Sequence, residues 1–211
     1  MSSVIYPQPA ANADAGSARA VRSASRPAKA VPSYTAIWLV VGSISMSFAA
    51  LTSALIVRQD IGMDWKPFVL PPILYLNTLV LLASSVTLEV ARKELAATYL
   101  RSETRPHPRK WFYATLALAL LFVLGQFLAW RNLAAQGLFL ATNPSSSFFY
   151  LFTGLHGLHV FGGVLGLLYA NHRSMRGLRF AAGGPLNVAA VYWHFMAILW
   201  VYLLLILRIR M

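Results

Sequence analysis

Five apolar blocks, each about twenty residues or longer and nearly free of charge, divide this chain, and nothing constrains its fold more. They are residues 35–57, 67–89, 111–130, 146–170 and 187–207. A lipid interior has no water to satisfy backbone groups, so it admits only helices and closed barrels. Blocks of this length match helices crossing a hydrocarbon layer of ~30 Å. Six acids stand against eighteen lysines and arginines among 211 residues, and 58% are hydrophobic. A soluble domain of this length could not cover its surface with so few charges. The expected fold is an all-α membrane protein, a bundle of five transmembrane helices.

The basic residues sort by side. Residues 1–33 are rich in Ala, Ser and Pro and carry Arg19, Arg22, Arg26 and Lys29, with no apolar core early enough for a cleavable signal peptide. They read as a flexible basic tail on the cytoplasmic leaflet, with an organelle transit peptide as the compositional alternative. This tail, the second connection and the fourth connection hold thirteen basic residues against five on the other side. The bias predicts an amino terminus in the cytoplasm and a carboxyl terminus on the opposite side, which is the periplasm where the membrane is a bacterial inner one. It also accounts for the net charge of +12 without a nucleic-acid partner. The absence of cysteine excludes disulfides, thiolate metal sites and a cysteine nucleophile. No phosphate loop, no nucleophile with an ordered base and no internal repeat is present.

What remains is a small set of polar residues inside the spans. In the fourth, Thr153 to Gly166 carries His156 and His159, about 60° apart in helical projection, with Gly163 falling between them on one face. Imidazoles are costly against lipid, so they are expected to face protein. Gly162 with Gly166, and Thr153 with Gly157, make small-residue pairs that let neighbours approach two faces, which marks Gly157, Gly162, Gly163 and Gly166 as packing positions. Glu89 is the carboxylate nearest a span interior. It reads either as an interfacial ion pair with Arg92 or Lys93, or as a buried acid bonded to a histidine of the fourth span. His194 lies seven residues into the fifth span.

Two axial ligands to one haem cannot come from histidines three apart on one helix, though His194 with His156 or His159 stays open. Zinc is disfavoured by the lack of cysteine and of a second carboxylate. Three readings follow: an accessory subunit with an internal network of Glu89, His156, His159 and His194; a small di-histidine haem carrier; or a transporter. None of them assigns a catalytic residue to the chain.

The assembled motifs resemble a known family. Thr153-Gly154-Leu155-His156-Gly157-Leu158-His159-Val160 is similar to the T-G-x-H-G-x-H-V signature of subunit III of the haem–copper terminal oxidases. Tyr192-Trp193-His194-Phe195 followed by Trp200 resembles its Y-W-H-F-x-D-x-x-W, and Leu70-Pro71-Pro72 through Thr87-Leu88-Glu89 resembles another of its segments. The likeness covers residues 34 to 208, nearly everything but the tail. It implies a subunit of five to seven helices without metal, haem or copper of its own. Such a subunit packs against catalytic subunit I, in a complex that includes subunit II and reduces dioxygen while pumping protons. Five spans match the shorter bacterial form. In longer members a cleft beside the first two helices binds phospholipid, so bound phospholipid is expected here.

Two departures matter: Ile44 and Ala197 stand where the family carries a glutamate and an aspartate. Their loss argues for a scaffold or lipid-holding role over proton carriage. It also keeps open a subunit III-like protein of a quinol oxidase or nitric oxide reductase.

Overall fold

A computed structural model describes residues 34–101, 108–175 and 184–211; the expected basic tail lies outside them. Five helices follow in order: α1 Tyr34–Ile61, α2 Ile73–Arg101, α3 Pro108–Ala135, α4 Pro144–Met175 and α5 Pro185–Arg210. All five are long and apolar enough to cross a membrane, and no strand occurs among the described residues.

The helix ends follow local chemistry. α2 starts six residues later than the apolar block suggests. Pro71 and Pro72 lack N–H groups and bias the residues before them toward extended backbone, and here the helix begins just after them. Their carbonyls accept the N–H groups of Leu74 and Tyr75, forming the first turn. The segment left outside the helix packs sideways, with Trp65 against Phe148 and Phe68 edge-on to Phe149 at the start of α4. At its other end α2 runs beyond Glu89, with Ala91 and Leu95 buried, so half of the expected polar connection is helix.

α3 stops at Gly137, whose φ of 77° only glycine adopts at low cost. Asn143 caps α4, its Oδ1 accepting the Ser146 N–H at 3.0 Å, and Pro144 supplies the first helical position. α5 also opens on a proline, Pro185, but behind Gly184 and without a side-chain cap.

α2, α3, α4 and α5 form a ring of neighbours, each antiparallel to the next. Asn77 meets Phe122, Trp130 meets Thr153, Tyr192 meets His159, and Trp193 meets Ser84. α1 lies against α5 and α4 and, among the described residues, not against α2. α4 and α5 each touch three helices, and α5 buries Trp193, Met196, Trp200 and Leu203. Outward faces carry large aliphatic side chains such as Leu79, Leu120, Leu165 and Ile198, as lipid contact requires. Lipid tails are as apolar as leucine, so burial alone does not hold such helices together. Close packing and interhelical hydrogen bonds do.

Candidate functional site

The polar residues of the spans form two groups. The first is a layer through the middle of the bundle, centred on His156. Its ring is fully buried, 5.0 Å from that of Trp200 on α5 and 6.1 Å, edge-on, from that of Phe122 on α3. Neither of its nitrogens has a protein partner. One turn along α3 from Phe122, Gln126 is also buried, and both its amide atoms lack partners. Asn77 of α2 enters the same layer, its amide donating to the Phe122 carbonyl at 3.3 Å. Gly125 makes that possible, because a Cβ there would stand 1.9 Å from Asn77 Oδ1.

Around this layer the α5 aromatics reach across helices. Trp200 Nε1–H donates to Thr78 at 3.0 Å, Trp193 Nε1–H to Ser84 at 3.1 Å, and the Tyr202 hydroxyl to Thr52 at 3.0 Å. Thr153, the first motif residue, is buried; it donates to the Phe149 carbonyl and accepts Trp130 Nε1–H at 3.0 Å. His159 is turned toward α1, with its ring 5.9 Å from Phe48 and its Nδ1 2.8 Å from the Leu155 carbonyl of its own helix.

The second group sits at the far end of α2. Arg92 donates to Glu89 Oε1 at 2.9 Å, and Lys93 Nζ lies 3.9 Å from the same oxygen. Arg92 also reaches Asn187 on α5 at 3.3 Å. His194 Nε2 is 3.8 Å from Glu89 Oε2, too long for a hydrogen bond. Both side chains are about a third exposed, at 39% and 28%. The ion pair expected from the i, i+3 spacing is present. The histidine facing Glu89 is that of α5, and no described contact joins Glu89 to His156 or His159. The four residues thus stand as one pair and two separate imidazoles.

The glycines differ in use. At Gly163 a Cβ would come 3.0 Å from Tyr192 and 3.3 Å from Trp193, so α5 crosses α4 there. At Gly157, Gly162 and Gly166 no described atom lies within 4 Å of the Cβ position. Among the described residues no neighbouring helix approaches α4 closely at these three. Gly162, Gly163 and Gly166 instead floor an apolar groove of about 360 Å³ walled by Ile37, Tyr169 and Tyr192. Ile44 and Ala197 are both buried in the apolar core.

No group of three His, Cys, Asp or Glu side chains that could hold a metal occurs among the described residues. A haem does not fit the histidines. His156 is enclosed by Phe122 and Trp200 with no opening, and His159 has turned one ring nitrogen to its own backbone. The polar contacts that sequence reasoning missed are those to Thr52, Thr78 and Ser84, together with the buried, unpartnered amide of Gln126. For Thr78 and Ser84 the one visible signal is the recurrence of small hydroxyl residues along α2; Thr52 on α1 and Gln126 on α3 carry none.

Residues 36–210 match the family described as cytochrome c oxidase subunit III. The probable cytochrome c oxidase subunit 3 of Mycobacterium tuberculosis (strain ATCC 25618 / H37Rv) is 34% identical over 196 residues, 87% of this chain and 89% of that protein. Cytochrome c oxidase subunit 3 of Thermostichus vulcanus is 32% identical over 185 residues, 84% and 88% of the two chains. That of Bacillus sp. (strain PS3) is 26% identical over 174 residues, 81% and 82%. With two signature helices packed together and a match running from the start of α1 to the end of α5, this multi-pass membrane chain belongs to the cytochrome c oxidase subunit III family, a component of an oxidoreductase complex.

Proposed function

We propose that the chain is a non-catalytic subunit of a cytochrome c oxidase, stabilising haem- and copper-bearing subunit I and holding lipid at its surface. One observation carries this reading. The indole and hydroxyl groups of its last helix are committed to neighbouring helices, through Trp193–Ser84, Trp200–Thr78 and Tyr202–Thr52. The motif residues thus serve the bundle's shape and are not aimed at a reacting molecule. The names of the relatives favour a cytochrome c oxidase over a quinol oxidase or a nitric oxide reductase. Buried Ile44 and Ala197 support a scaffold over a proton carrier, since neither position offers a titrating group. Thirteen basic residues on one side support an amino terminus in the cytoplasm of a bacterial inner membrane.

The test is to tag the chain and purify it in mild detergent. The expected eluate contains subunits I and II and shows their haem absorption, while the chain alone is colourless. A strain lacking the chain should assemble an oxidase that loses activity faster during turnover. A coloured isolated chain, or an oxidase equally durable without it, would overturn the reading.

A further inference from the structure

Two adjoining hollows run along the outer seam between α3 and α4. One, of about 280 Å³, lies against Trp130, Arg131, Phe139 and Tyr150. The other, of about 500 Å³, shares Trp130 and Tyr150 and continues past Leu151, Gly154 and Leu158. From Tyr150 to Leu158 the trough follows ~12 Å of helix. Its polar atoms are turned inward: Trp130 Nε1–H donates to Thr153 at 3.0 Å, and the Tyr150 hydroxyl to the Leu138 carbonyl at 2.9 Å. The walls are therefore ring faces and aliphatic chains, with one charge at the end. Arg131 is exposed, and none of the ion pairs among the described residues involves it.

Trp130 and Tyr150 beside a helix end mark the depth of a membrane–water interface. A guanidinium at that depth, above an apolar trough directed into the membrane, complements a phosphate with an attached acyl chain. We propose that the α3–α4 seam binds one anionic membrane phospholipid, its phosphate held by Arg131 and one acyl chain laid over Gly154 toward Leu158. Gly154 keeps the trough open, since a Cβ there would stand 3.9 Å from the Trp130 ring and a longer side chain would fill the space. The site is distinct from the groove floored by Gly163, which lies between α1, α4 and α5. It deepens the lipid-holding part of the proposed function and rests on it.

Native mass spectrometry of the oxidase complex carrying the full chain, with added phosphatidylglycerol or phosphatidylcholine, tests the site. One phosphatidylglycerol should stay with the chain at collision energies that strip phosphatidylcholine. Arg131→Gln should lower its retention by about tenfold, the loss expected of one charge-assisted contact, and Arg131→Lys should keep most of it. Gly154→Leu should displace the lipid with Arg131 intact. Equal retention of both lipids, or Arg131→Gln and Gly154→Leu variants that hold phosphatidylglycerol as the parent does, would overturn the proposal. Occupancy is counted on the chain whether complexed or released. Failure of the lipid site is thereby separated from failure of the chain to join the oxidase.

Discussion

Trp200 holds two helices at once: its ring lies 5.0 Å from that of His156 on α4, and its Nε1–H is donated to Thr78 on α2. A tryptophan so placed contributes through ring packing and through one directed bond, and substitution can separate the two. Trp200→Phe keeps much of the ring and drops the bond, which should cost about 1–2 kcal/mol. Trp200→Ala should cost about 3–5 kcal/mol, because Phe122 and His156 lose the surface they pack on. Thermal unfolding of the purified chain in mild detergent reads both. Equal losses for the two variants would mean that the hydrogen bond, not the packing, dominates.

Gly163 and Gly157 make a matched pair of tests on one helix. A methyl group at Gly163 would press on the Tyr192 and Trp193 rings at 3.0 and 3.3 Å, whereas at Gly157 it would meet nothing described. Gly163→Leu should therefore destabilise by about 1–3 kcal/mol through overpacking. Gly157→Leu should be neutral or stabilising by up to about 1 kcal/mol, because glycine is the weaker helix former. Melting temperatures of the two variants, measured side by side, check the contrast.

Outside the spans, the Asp64 carboxyl is held below the usual carboxylate range, chiefly by hydrogen bonds from Arg58 Nη2 at 2.7 and 2.8 Å. A lowered folded-state value means that the pair contributes above the ordinary carboxylate range and is lost as pH falls through the lowered one. Titration at neutral and alkaline pH should leave it intact, and acid should release it. Asp64 is 60% exposed, so the contribution is small and weakened by salt. Gly62 is part of the arrangement: a Cβ there would stand 1.7 Å from Arg58 Nη1. Gly62→Ala should displace the guanidinium and return the Asp64 carboxyl toward its ordinary value, which NMR titration of the carboxyl carbon would show.

The number of helices was legible because lipid allows so few ways to bury twenty apolar residues. Their limits were less so. Pro71 and Pro72 could sit inside a first turn or precede one, and packing of Trp65 and Phe68 against α4 favours the second. Glu89 with Arg92 followed from spacing on one helix. That Glu89 faces His194 and not the fourth helix depends on how α2 and α5 are rotated, which side-chain packing decides and local pattern does not. Likewise the glycines of α4 announced small surfaces without saying which of them a neighbour would cover. Tyr192, Trp193 and Trp200 stood out only as parts of a motif, and their donated bonds to α2 and α4 emerged only with the bundle assembled.

Ile44 offers the most direct test of a scaffold against a proton carrier. It is 6% exposed on the inner face of α1, one turn from Phe48, in a core made of apolar side chains. Ile44→Glu places the acid that the wider family carries into this setting. A carboxylate at that depth costs about 2–3 kcal/mol or protonates instead, and either way it forfeits the packing of the lost side chain. The variant should melt lower and leave the complex more readily in detergent, while Ile44→Val should lose only about 0.5–1.5 kcal/mol. The haem spectrum of the partner should not change in either. If Ile44→Glu is as stable as the parent, the inner face of α1 must supply a polar partner for an acid, and the proposed scaffold role loses its support.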